Sequence, residues 1–247
     1  RLLGVAIPLC TSELLAYSEW EILTVFASWI GPIEVTAWGI LGSLWDLLEM
    51  LVEAVADASE VRVAYLLGRG NPLEAELSAY KSIFLGAMVS LIGTATIFVM
   101  GENLPTWLTK DEEIQEILAQ LIPLFGAGNI ALSAGTMAWT LVGAQGRYRL
   151  ATAVGVAGSW LIVTPLAAAS SIALGWDLRG QIGAVVIGYL VSGAINLYLL
   201  ISSDWERQSA KVIELNQAEN TNEGSSDSGG SSSEGSSDSE GSSSSDS

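Results

Sequence analysis

The amino-acid sequence predicts an all-α membrane protein, a bundle of six transmembrane helices followed by a disordered acidic tail. Three observations carry this expectation. Of the 247 residues 50% are hydrophobic and only 15% charged. The apolar residues are concentrated in residues 1–203, about 58% of which are hydrophobic, above the roughly 45–50% of soluble domains. Within that body, six apolar stretches each exceed the roughly 20 residues that a helix needs to cross about 30 Å of hydrocarbon. The alternating segments of about ten residues that mark barrel strands are absent.

The stretches run over residues 2–30, 35–66, 79–101, 117–142, 150–176 and 180–203. The first starts directly after Arg1, with no Met, polar domain or signal-peptide pattern before it, so the chain reads as a piece of something longer. The second follows the Gly31-Pro32 turn and is the acidic one. The third ends before a connection crowded with Glu102, Asp111, Glu112, Glu113 and Glu116. Pro8, Pro123 and Pro165 fall inside spans, where each removes a backbone hydrogen bond and invites a kink. Gly155, Gly158, Gly183, Gly188 and Gly193 put small residues on helix faces, as close helix packing requires. A juxtamembrane segment, 204–219, follows the sixth span. Residues 220–247 then hold 14 Ser, 5 Gly and 6 acids with no aliphatic or aromatic residue. Such a composition cannot bury enough surface to offset ordering entropy. Ser231, Ser237 and Ser243 each have an acid three residues later, a pattern acidophilic kinases favour, although a plain solubilising linker is the favoured account of the tail.

Six spans put both termini on one side. Arg1, Arg62, Arg69, Lys81, Arg147, Arg149, Arg207 and Lys211 then share a side, against Lys110 and Arg179 on the other. The positive-inside rule places both termini in the cytoplasm and leaves plasma and vacuolar membranes undistinguished. Trp29, Trp38, Trp107, Trp176 and Trp205 sit near helix ends as interfacial anchors.

Composition also excludes chemistries. There is no His and only one Cys, Cys10, so a His-based triad, a His-ligated metal and a disulfide framework lack their residues. A formal charge of −17 without a local basic cluster repels nucleic acid. No organic cofactor is expected.

The informative feature is intramembrane charge, because each acid at mid-bilayer costs about 2.5–3.5 kcal/mol on insertion scales. Asp46, Glu49, Glu53, Asp57 and Glu60 are spaced 3, 4, 4 and 3 along the second span, which confines them to an arc of roughly 80° over about 21 Å. Facing lipid, the five would cost on the order of 12 kcal/mol, so the stripe must border water, partners or a cavity. In the first span, Glu13 and Glu21 lie roughly 80° apart and can share a cavity, whereas Glu19, roughly 160° from Glu21, is expected to point elsewhere. Carboxylates crowded in a low-dielectric cavity exchange protons near neutral pH. A site that must stay near neutral holds protons or an organic cation but not both, which is the physical basis of antiport. Trp20, Trp45 and Tyr17 offer faces to a cation, or serve as packing.

Four landmarks resemble a known family. Glu60-Val-Arg-Val-Ala-Tyr-Leu-Leu-Gly-Arg-Gly-Asn-Pro72, containing Arg62, Gly68 and Gly70, resembles the signature S-x-R-V-x-N-x-L-G-A-G-N-P that follows the eighth helix of MATE (multidrug and toxic compound extrusion) transporters. Residues 20–34, with Trp-Glu-Ile-Leu and then Gly-Pro-Ile-Glu, are similar to the eukaryotic seventh helix and its turn. Gly143-Ala-Gln-Gly-Arg-Tyr-Arg149, with Gly143 and Gly146, resembles the connection after the tenth helix, and Asp204-Trp-Glu-Arg-Gln208 the end of the twelfth. The resemblance covers residues 1 to about 210 and implies the C-terminal six-helix lobe of a eukaryotic MATE-type transporter, whose N-terminal six-helix lobe would be its partner. It further implies export of organic cations or other xenobiotics against a proton or sodium gradient, with Glu21 matching a functional seventh-helix glutamate. The sequence departs from the family at Ala16 and Ser43, where glutamates are expected, and near Asn129 or Ala131, where a tenth-helix acid is expected. The signature's Ser is Glu60.

The leading expectation is a proton-coupled exporter lobe, embedded in a lipid bilayer, in which Glu21, Asp46, Glu49 and Glu53 bind cation and proton and Glu13 assists. One alternative is an intramembrane Mg²⁺-dependent prenyltransferase-like enzyme, for which the D-x-x-E-x-x-x-E-x-x-x-D run on the second span is a superficial match. Another is a half-transporter that moves nothing, since a transport site lies between repeats.

Overall fold

The computed structural model describes residues 2–101, 103–173, 175–214 and 217. The tail over 220–247 and the side chains of Glu13 and Tyr17 lie outside the described residues. The described residues are helical nearly throughout: α1 Leu2–Ile30, α2 Pro32–Gly68, α3 Pro72–Met100, a short α4 Asn103–Leu108, α5 Glu112–Val142, α6 Tyr148–Gly158, α7 Thr164–Ala168 and α8 Asp177–Ile201. The segments Ser159–Val163 and Ala169–Ala173 are π-helical turns that continue α6 and α7 as one rod. All six expected spans are helices, and several run past their apolar cores. α3 starts at Pro72 rather than residue 79, and α5 at Glu112 rather than 117.

Local chemistry explains these ends. Pro32 and Pro72 occupy first-turn positions, where a missing N–H costs nothing. At the α2–α3 turn, Gly70 N donates to Leu67 O and Asn71 N to Leu66 O, both at 3.0 Å. Gly70 sits at φ 77, the left-handed C′ position of a Schellman motif. The G-x-G-N-P signature is therefore a helix stop followed by a helix start. Asp111 caps α5, its carboxylate accepting from Glu113 N at 3.0 Å. From Glu112 the helical run continues through 60 residues to Ser171, and Gly146 at φ 74 breaks it into two passes after Val142. Pro123 lies inside α5 without ending it.

α5 is the central helix, packing on α2, α3 and α8. Small residues set the crossing of α5 and α8: a Cβ on Gly193 would meet Gly135 Cα at 3.0 Å. Trp45, Leu23, Phe125, Leu121 and Ile182 fill the layer between α1, α2, α5 and α8. Gln181 Nε2 ties α8 to α1 by donating to Leu23 O at 2.6 Å.

The other end of the lobe gathers the two landmark turns and the chain after α8. Residues 205–214 form a further helix, not expected from the juxtamembrane sequence. Its Ser209 hydroxyl donates to Leu67 O at 2.7 Å, and Ile213 and Val212 approach Gly70 and Gly146. Trp205 is only 6% exposed and belongs to the cluster around Leu67, Leu141 and Leu200. Two of the expected anchors are thus packing residues, Trp205 and the buried Trp38, because each is covered by a neighbouring helix. Trp29, Trp107 and Trp176 are exposed, as anchors must be.

Candidate functional site

α2 contains 37 residues and is about 55 Å long, well beyond about 30 Å of hydrocarbon. Asp57 and Glu60 lie roughly 38 and 42 Å from its start, so neither needs a cavity to be solvated. Asp57 is exposed, and Glu60 Oε1 accepts from the Tyr148 hydroxyl at 3.1 Å, fastening α2 to the turn after Gly146. The five-acid ridge therefore divides. Asp46, Glu49 and Glu53 line a chamber of about 640 Å³, and the other two do not.

The fourth acid of the chamber is Glu19. This corrects the expectation for α1. Glu19 falls on the same stripe as Leu23, Phe26 and Ala27, all buried, at the i, i+4, i+7, i+8 spacing of a core-facing surface. Glu21 falls with Val25 and Trp29 on the outward face and is exposed. A wheel drawn from those apolar residues, rather than from the angle between glutamates, shows which acid faces inward.

Depth differs among the four carboxylates. Glu19 is 2% exposed, with the Ser159 side chain beside it and Oε1 lacking a hydrogen-bond partner among the described residues. Glu49 is half-buried and accepts from the Thr136 hydroxyl at 3.4 Å, while Asp46 and Glu53 are exposed at the mouth. Ser159 opens the π-turn Ser159–Val163, a local widening of the helix that recurs at functional sites. Trp160 Nε1 donates to Leu15 O at 3.2 Å, holding this turn against α1. Trp20, Trp139 and Tyr189 supply aromatic wall, and no Lys or Arg is among the described lining residues. Trp45 stands behind that wall, fully packed. Ser159, Thr136 and Tyr189 carry no sequence signal, since each is brought in by a separate helix.

The position where the family's tenth-helix acid is expected is occupied by amide chemistry. Asn129 is 1% exposed, and its Nδ2 donates to Thr94 Oγ1 at 2.9 Å, Ser90 Oγ at 3.3 Å and Ser90 O at 3.4 Å. An aspartate there cannot donate. Asn129→Asp is therefore expected to destabilise the lobe by about 1–3 kcal/mol, through loss of the amide's donations and burial of a charge. Thermal unfolding in detergent measures this, and an unchanged midpoint would contradict it.

Architecture and site together define a class, a multi-pass integral membrane helix bundle holding an internal acidic chamber. Residues 8–169 match the sequence model of the MatE family, and the chain belongs to that family. It is 27% identical over 190 residues to the Schizosaccharomyces pombe transporter C4B3.13, covering 77% of this chain and 35% of that protein. It is 24% identical over 219 residues to Protein DETOXIFICATION 53 of Arabidopsis thaliana, covering 88% of this chain and 45% of that one. The crystal structure of the eukaryotic MATE transporter AtDTX14 superposes with a TM-score of 0.76 at 19% identity, over 86% of this chain and 48% of AtDTX14. The chain thus spans about half the length of that transporter, or less of the curated relatives, and has the fold of one lobe.

Proposed function

We propose that the chain is the C-terminal lobe of an antiporter that exports organic cations or related xenobiotics, and that the chamber exchanges the cation for protons. The observation that carries this reading is the chamber itself. Four carboxylates, Glu19 from α1 and Asp46, Glu49 and Glu53 from α2, line it beside aromatic wall, with no base among the described lining residues. Glu19 is buried and Glu49 half-buried; buried charge of one sign must be matched, and protons or an organic cation are the species that can do so reversibly. Among the described residues, no three His, Cys, Asp or Glu side chains converge closely enough to hold a metal ion. Nothing supports the prenyltransferase reading. The N-terminal lobe supplies the opposing face, and the clustering of the two landmark turns with the basic residues around them supports cytoplasmic termini.

The test is reconstitution of the full-length protein in vesicles. An imposed proton gradient is expected to drive ethidium against its own gradient, whereas a matching sodium gradient is not. Drive by sodium alone, or by neither, would overturn the reading. The same assay on the lobe alone separates a working half from an inert one, and the expected result is no movement.

A further inference from the structure

A second cleft, of about 930 Å³, opens at the end of the lobe opposite the Gly70 and Gly146 turns. Its floor is built by close packing. A Cβ on Gly180 would lie 2.7 Å from Ser170 Cβ and 2.8 Å from Trp176 Cβ, whereas one on Gly183 would meet nothing within 4 Å. The walls descend along Leu166 of α7 and Ile187 of α8. Leu166 is 40% and Ile187 50% exposed, so the groove is open sideways. From Arg179 to Ile187 is about 12 Å along α8, most of the roughly 15 Å depth of one leaflet.

The mouth is polar and mixed in sign. Arg179 donates to Gln120 and forms no ion pair among the described residues. Asp177 and Glu34 share the lining with it. Asp177 holds φ 50, a left-handed conformation unusual for a residue other than glycine. Trp176 beside it is 61% exposed, as an amphipathic ring that meets headgroups must be. One cation and two carboxylates repel a net anion but complement a phosphate joined to an ammonium group.

We propose that this cleft binds one zwitterionic phospholipid of the surrounding bilayer, with its phosphate on Arg179, its ammonium toward Asp177 and Glu34, and an acyl chain along Gly183 toward Ile187. The site is separate from the carboxylate chamber and shares none of its lining residues.

The test uses the full-length protein in phosphatidylcholine bilayers carrying a trace of phosphatidylcholine with a diazirine in its acyl tail. Photolabelling is expected to concentrate on residues 166–169 and 183–187, above the level on the exposed α3 face at Leu91 and Ile92. Gly183→Leu fills open space and is expected to remove most of that labelling without unfolding the lobe. Arg179→Gln is expected to lower it about tenfold, the effect of losing one charge-assisted hydrogen bond. A diazirine-tailed phosphatidylglycerol should label the cleft several-fold less. Labelling no higher than at α3, indifference to both substitutions, or preference for phosphatidylglycerol would each overturn the proposal.

Discussion

Glu19→Gln in the full-length protein is expected to reduce proton-driven cation efflux at least about tenfold, the scale on which loss of a single charge-matched contact acts. Glu19 is the deepest acid of the chamber, 2% exposed, with one carboxyl oxygen unpartnered. A carboxylate in that position is tolerated only when a cation or a proton accompanies it. Gln retains shape and hydrogen-bonding capacity but can neither hold an exchangeable proton nor attract a cation. Its effect on folding should be neutral or favourable, since a buried amide is cheaper to desolvate than a carboxylate. Unaltered abundance and thermal stability combined with collapsed efflux is thus the expected pattern. Glu49→Gln should behave similarly, as its carboxylate is half-buried and held by Thr136. Loss of efflux in Glu21→Gln with none in Glu19→Gln would show that the working acid lies outside the chamber.

Trp45→Ala carries the largest expected cost in stability, about 3–5 kcal/mol, against a total of roughly 5–15 kcal/mol for a folded domain. Trp45 is 1% exposed and meets three helices at once. Its ring centroid lies 5.9 Å from Trp20 of α1, 5.2 Å from Phe125 of α5 and 6.3 Å from Tyr189 of α8, each edge to face. Each such pair contributes about 0.5–1.5 kcal/mol beyond area burial. In a bilayer the hydrophobic drive between helices is weak, so most of the cost comes from lost packing. The midpoint of thermal unfolding should fall on the order of 10 °C, with Trp45→Phe falling less. Because Trp20 and Tyr189 also line the chamber, the substitution should loosen cation binding as well. A midpoint within about 2 °C of the parent would refute this role.

How much of this is legible in the sequence depends on which quantity is local. Helix existence is local, as apolar length alone locates all six spans. The turn at Gly70-Asn71-Pro72 can be read directly, because a left-handed stop and a proline start are properties of those residues. The helix over 205–214 cannot, since Trp205 and Ser209 gain their meaning only from Leu67 across the fold. The chamber is half legible. Asp46, Glu49 and Glu53 share a face by spacing, but spacing alone turns Glu19 outward, because the angle between two glutamates does not say which of them faces the neighbours.

Composition and periodicity by themselves determined that this chain is a six-pass helical membrane bundle with an acidic face on its second helix, since length, hydropathy and the 100° step act within one helix. Only the tertiary structure decided which carboxylates meet. Rotation of α1 about its own axis is set by the packing of Leu23, Phe26 and Ala27 against α2 and α8, a contact between distant segments that no single helix encodes.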